Sequence, residues 1–307
     1  MQATRPPSFT GIWPALLTPL HADLSIDHAR FTAHSQALLT SGCSGVTPFG
    51  TTGEGPSFSI AERMQAVEQL VKHGVPAAQI MVSTSCAALP DVLALTRHAV
   101  NLGVHGCLMM PPFFFKGVTD EGIIDSYRYV IDSINDPRLK LYLYHIPQVS
   151  GVGLSHHVIA TLIRLYPTTI LGIKDSACTT AHSVGLAEAF MKDLGLYVGF
   201  EPDLPEMGRR GSTGAISGIA NFMPRIVKRL VMQPDAPATP AERERVIALL
   251  AILNDYSLLP ALKGIMAILS DDDAWLRVRP PLVALKPDEF KILKAAINGF
   301  SIDTASD

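Results

Sequence analysis

The 307-residue chain contains no apolar run approaching the roughly 20 residues that span a bilayer, so no membrane partner is expected. It has no basic block either. Its 25 Lys and Arg and 28 Asp and Glu give a net charge of −3 with both signs scattered, which argues against nucleic acid as a partner. No CxxC spacing occurs: Cys43, Cys86, Cys107 and Cys178 lie far apart and read as buried, reduced thiols of a cytoplasmic protein, not a disulfide framework. The opening Met1-Gln2-Ala3-Thr4-Arg5-Pro6-Pro7 lacks the apolar core of a signal peptide. The ten histidines are dispersed, and the adjacent His156-His157 falls at a helix start, where consecutive side chains diverge, so no metal is expected. No GxGxxG follows the first apolar run, and no Gly-Lys-Ser/Thr follows the glycines at 50–55, which argues against a dinucleotide fold and a P-loop. No cofactor is called for.

What is present is apolar material, 48% of the residues, ample for a large core. Short apolar runs at 11–17, 45–49, 79–84, 106–110, 139–145, 169–174, 196–200 and 214–219 predict strands. Amphipathic stretches near 27–40, 59–73, 90–102, 119–134, 155–166, 179–193, 203–210 and 223–232 predict helices between them. Ser59 with Glu62 has the spacing of a capping box, Asp27 and Ser155 are N-cap candidates, and Thr119-Asp120-Glu121 places acid at a helix start. Eight strand–helix units with near-continuous apolar strands point to an α/β fold, a (β/α)8 TIM barrel; an open doubly wound sheet is the competing architecture. Residues 1–233 would form the barrel. The Pro/Ala-rich connector from Pro234 to Pro240 would lead into a C-terminal helical extension, 234–307, within the same structural unit. Its helices are expected near 239–256, 258–270 and 288–299, with a break at Arg279-Pro280-Pro281.

Function in such a barrel is carried at the C-terminal ends of the strands. Lys174 closes the sixth apolar run, Thr169-Ile170-Leu171-Gly172-Ile173-Lys174. An amine buried there is disfavoured as ammonium and becomes a nucleophile able to form a Schiff base with a keto acid; a surface lysine paired with Asp175 is the bland alternative. In Leu141-Tyr142-Leu143-Tyr144-His145, alternation sends both tyrosines to one face, and Tyr144 at the strand end could relay a proton to the neighbouring strand's lysine. A core tyrosine with a satisfied hydroxyl competes with that reading. The stretch Phe49-Gly50-Thr51-Thr52-Gly53-Glu54-Gly55 offers backbone N–H groups and hydroxyls for a carboxylate, or else simply turns into the next helix.

Gly50-Thr51-Thr52-Gly53-Glu54, Tyr144-His145-Ile146-Pro147 and Gly172-Ile173-Lys174-Asp175 together resemble the dihydrodipicolinate synthase / N-acetylneuraminate lyase family of class I aldolases. The resemblance implies a homo-oligomeric TIM barrel, dimer or tetramer, that binds pyruvate as an imine on Lys174. It also implies Tyr144 as proton shuttle and Thr51 and Thr52 as carboxylate holders. Glu201 in Gly199-Phe200-Glu201-Pro202 sits where lyases of the family place a carboxylate for sugar hydroxyls; an ordinary loop acid is the alternative. Gly50, Gly199, Ser217 and Phe114 complete the expected substrate-binding set. The chain departs from dihydrodipicolinate synthases in having Val149 where they carry an arginine after the Tyr-x-x-Pro segment, and Pro112-Phe113-Phe114 where they carry Pro-Tyr-Tyr. Gly53-Glu54-Gly55-Pro56-Ser57 and Arg279-Pro280-Pro281 are more similar to 2-keto-3-deoxygluconate aldolases.

The expected chemistry is cleavage or formation of the C3–C4 bond of a 2-keto-3-deoxy acid, with pyruvate and an aldehyde as the small-molecule partners. Alternatives are a dehydratase or deaminase using the same imine, 4-hydroxy-tetrahydrodipicolinate synthase activity, or a catalytically retired barrel that senses pyruvate.

Overall fold

The computed structural model describes residues 10–300 and 302; the start of the chain, read above for a leader, lies outside them. Seven short parallel strands form one sheet: β1 (Gly11–Pro14), β2 (Met81–Ser83), β3 (Gly106–Met109), β4 (Leu141–His145), β5 (Ile170–Asp175), β6 (Gly195–Val198) and β7 (Gly214–Ser217). Their order is β1-β7-β6-β5-β4-β3-β2.

The predicted strand at 45–49 is not a regular strand, yet it closes the barrel. Thr47 bridges Ala15 on the β1 side and Val46 bridges Ile80 on the β2 side, both in parallel. Thr47 N–H donates to the Pro14 carbonyl at 2.8 Å, and Met81 N–H to that of Val46 at 2.9 Å. Proline explains the irregularity: Pro14 and Pro48 bring no N–H to the ladder, and Phe49 turns the chain away at φ +61°. Gly45 is required in this stave, because a Cβ there would lie 2.1 Å from the Trp13 ring.

Helices α1 (His28–Thr40), α2 (Ile60–Lys72), α3 (Leu89–Leu102) and α4 (Asp120–Ile134) cover the first half of the barrel, at the places expected. A short α5 (Pro147–Ser150) occupies what was expected to be loop. It is followed by α6 (His156–Leu165), α7 (Thr180–Phe190), α8 (Leu204–Arg209) and α9 (Pro224–Met232). The capping signals act as their chemistry requires. Ser59 and Glu62 exchange bonds reciprocally, and Asp27, Thr119 and Ser155 each accept a first-turn N–H.

Two buried clusters result. Trp13, Met81, Leu108, Tyr142, Tyr144, Tyr197 and Ile216 fill the barrel, while the opposite faces of the strands pack on the helices. Beyond the eighth unit, α10 (Thr239–Leu253), α11 (Leu258–Ser270) and α12 (Pro287–Asn298) follow. Among the described residues no single helix is long and apolar enough to cross a membrane. None of the four cysteines is in a disulfide, but only Cys43 and Cys107 are buried; Cys86 is half-buried, and Cys178 is exposed on the turn after β5, at φ +57°.

Candidate active site

A defect in strand pairing sets the direction of Lys174. Leu141 pairs with Ile170 but Tyr142 pairs with Gly172, so Leu171 is an extra residue, a β-bulge. Ile170 packs outward and Leu171 inward. Strict alternation from Ile170 would have turned Lys174 outward; one inserted residue reverses the parity and turns it into the barrel. Tyr144 and Lys174 become register partners, 1% and 5% exposed, with Nζ 4.3 Å from the centre of the tyrosine ring.

Asp175 takes the other face. It accepts from Ser183 Oγ at 2.7 Å and the Ala177 N–H at 3.1 Å, and His182 Nδ1 lies 3.1 Å away, so it is not the lysine's partner. Gly199 leaves room on the lysine's far side: a Cβ there would lie 3.1 Å from Lys174 Cε and 2.1 Å from Ser176 Oγ.

The loop at 49–55 crosses the barrel mouth opposite. Its ends are held in left-handed backbone by two non-glycine residues, Phe49 and Glu54 at φ +54°. Thr51 Oγ1 lies 3.3 Å from the Tyr144 hydroxyl, so the phenol links loop and lysine. Thr52 faces the β7 side, where a Cβ on Gly218 would come within 3.3 Å of its Oγ1. Gly50 has open space on its Cβ side. The amides of Glu54 and Gly55 are used inside the loop, donating to the carbonyls of Thr51 and Gly50. Glu54 forms an ion pair with Lys263 of α11, both side chains fully buried; burial lowers the lysine's pKa, and Glu54 opposes the shift. Lys263 also donates to the Arg277 carbonyl at 2.7 Å.

On the β6–β7 side, Ser217 Oγ donates to Glu201 at 2.6 Å. Burial raises the Glu201 pKa, opposed by the Ser217 bond, backbone N–H groups and the charge of Lys174. Phe114 points outward, 70% exposed, edge-on to Phe115 at 5.3 Å, and Phe113 takes the inward place. A cleft of about 530 Å³ opens at the mouth, with Gly50, Thr51, Glu54, Phe113, Tyr144 and Val149 among its walls. Lys174 is not one of the wall residues; it lies beneath the Tyr144 ring.

Sequence reasoning did not find Lys263, which sits mid-helix in an apolar stretch. It also treated the histidines as dispersed. The fold instead gathers His145, Asp175 and His182 so that their ligand-type atoms lie within 4.8 Å of one another. The two imidazoles stack at 4.2 Å and 17°, and His145 Nδ1 accepts the Leu154 N–H at 3.0 Å. Burial first, then the neighbouring His182, lowers the His145 pKa to about 4.

A closed β/α barrel with a buried amine beside a buried phenol at its mouth belongs among the class I lyases, which use a lysine in place of a metal. Residues 8–299 match the Dihydrodipicolinate synthetase family, and the chain belongs to it. It is 32% identical over 289 residues to an uncharacterized DapA-like lyase of Chloroflexus aurantiacus, covering 93% of this chain and 95% of that one. The crystal structure of dihydrodipicolinate synthase from Agrobacterium tumefaciens superposes with a TM-score of 0.89 at 30% identity, covering 95% of this chain and 99% of that one. A prophage protein of the same family from E. coli K12, solved in complex with pyruvate, shares the fold at 22% identity and a TM-score of 0.87, over 95% and 99% of the two chains.

Proposed function

We propose that the chain is an aldolase in which Lys174 forms a Schiff base with pyruvate or a 2-keto acid, and that the C3–C4 bond is made or broken on that imine. The observation that carries this reading is the register pairing of Tyr144 with Lys174, with the tyrosine hydroxyl beside Thr51. Neutral Lys174 attacks the C2 carbonyl of a keto acid whose carboxylate is held by Thr51 and Thr52. Loss of water leaves a protonated imine that withdraws electrons from C3, so breaking C3–C4 gives an enamine instead of a free carbanion. Tyr144 removes the proton from the C4 hydroxyl as the aldehyde leaves and delivers it to C3 of the enamine, and water then hydrolyses the resulting imine to pyruvate and the free amine. The pyruvate complex of the E. coli relative supports pyruvate as the keto acid.

The 2-keto-3-deoxy sugar acids anticipated from the sequence would need Glu201, Ser217 and Gly199 on the β6–β7 side for their hydroxyls, and none of these lines the cleft beside Tyr144. The exposed rings of Phe114 and Phe115 support a homo-oligomer, since apolar surface of this kind is commonly covered by a partner. The buried cysteines Cys43 and Cys107, outside any disulfide, fit a cytoplasmic setting. Methyl-proton exchange of pyruvate in deuterated water, followed by NMR, tests the chemistry. Wild type should exchange and Lys174→Met should not; equal exchange in both would overturn the assignment.

A further inference from the structure

We propose that the aldehyde handled beside the keto acid is uncharged and carries an apolar, ring-sized substituent, seated in the cleft next to Tyr144; this rests on the Schiff-base reading above. The cleft shares Thr51 and Tyr144 with the reacting centre, so the bond formed at the enamine carbon directs its new substituent there. Its volume of about 530 Å³ leaves room well beyond a three-carbon acid. Met110, Phe113, Val149, Leu259, Pro281 and Leu282 supply apolar wall. Val149 stands 56% exposed at the rim, an apolar surface that a ligand would cover.

The Ser85 and Ser150 hydroxyls on the wall already have partners. Ser85 Oγ accepts from Met110 N–H at 2.9 Å and from Ser83 Oγ at 3.3 Å, and Ser150 Oγ donates to the Ile146 carbonyl at 2.9 Å. The Glu54 carboxylate is held by Lys263.

The nearby cations are already engaged by carbonyls and a carboxylate of the protein. Arg63 donates to the Ser83 and Ser85 carbonyls, and Arg279 to Glu62 and the Ser57 carbonyl. Lys116 is turned onto the carbonyls of Phe113 and Ser150. A carboxylate or phosphate on the aldehyde would therefore lose water without gaining a charged partner, and would meet Glu54 on the same wall. A polyol would bury hydroxyls against phenylalanine and proline.

In the condensing direction the enamine C3 attacks the aldehyde carbon and the C=O π pair moves to oxygen. The Tyr144 hydroxyl delivers a proton there, and water then cleaves the protonated imine, releasing a 4-hydroxy-2-keto acid and the Lys174 amine while the freed proton returns to the Tyr144 phenolate.

The test is condensation of pyruvate with benzaldehyde, glyceraldehyde and succinic semialdehyde, with methyl-proton exchange of pyruvate alone run in parallel. Benzaldehyde should exceed both others in kcat/KM by at least tenfold, and Val149→Arg should narrow or reverse its lead over the semialdehyde. A wild-type preference for either polar aldehyde, with exchange intact, overturns this inference alone. Loss of exchange in the wild type overturns the Schiff-base reading with it.

Discussion

Replacing Lys263 by Met leaves the Glu54 carboxylate buried beside an apolar side chain. Both members of the pair are fully buried, so solvent screens neither. Removing one partner of such a pair costs about 3–5 kcal/mol. An upper limit comes from the carboxyl itself, since protonating an ordinary glutamate at pH 7 costs about 4 kcal/mol. We expect Lys263→Met to lose about 3 kcal/mol. At about 2 °C per kcal/mol for a chain of this size, that lowers Tm by about 6 °C. Glu54→Gln should also destabilise, because the Lys263 ammonium keeps the Arg277 carbonyl but loses its counter-charge. The double variant removes both charges and should recover much of the loss, leaving a coupling energy of about 2 kcal/mol or more. Calorimetry on the four proteins measures the cycle. Additive losses would refute the claim that this ion pair fastens α11 to the loop carrying Thr51.

Tyr144→Phe removes the hydroxyl 3.3 Å from Thr51 and keeps the ring. Aldol turnover should fall about 10²–10⁴-fold, the range for a lost acid–base group, while stability changes by about 1 kcal/mol; turnover within tenfold of wild type would remove Tyr144 from the proton path. Burial holds His34 and His105 neutral in the fold, their pKa values lowered from 6.5 to about 4. The unfolded chain therefore binds more protons between those values, and stability present above pH 6.5 is lost as pH falls toward 4. Between pH 7 and pH 5 the loss is roughly 2 kcal/mol per histidine. Glu201, with its raised pKa, acts with the opposite sign above its unfolded value and offsets part of it. Urea midpoints should be lower at pH 5 than at pH 7, and equal midpoints would contradict the assignment.

Apolar runs located the strands because a parallel barrel buries both faces of each one, and the N-caps were legible because their chemistry is local. Pairing defects were not. The stave at 45–49 was legible as an apolar run, but its breakdown into two bridges follows from two prolines and the width of Trp13. Lys174 was chosen because it closes a run, yet plain alternation from Ile170 would have pointed it outward; the bulge at Leu171 that turns it inward depends on the register with β4. The Tyr144–Thr51 contact joins residues 93 apart, and Lys263 meets Glu54 across an even longer separation, so neither leaves a local pattern. In the Pro-Phe-Phe-Phe segment the sequence pointed to Phe114 as the ring at the substrate, and the structure places it outside the cleft. A turn of the backbone gives that place to Phe113 and leaves Phe114 on the rim.

Borohydride reduction in the presence of pyruvate, followed by peptide mass mapping, is the most direct measurement of the central claim. The account predicts one reduced pyruvyl group on the peptide containing Lys174, absent without pyruvate and absent in Lys174→Met. An unmodified Lys174 peptide, or a label on another lysine such as Lys263, would contradict it.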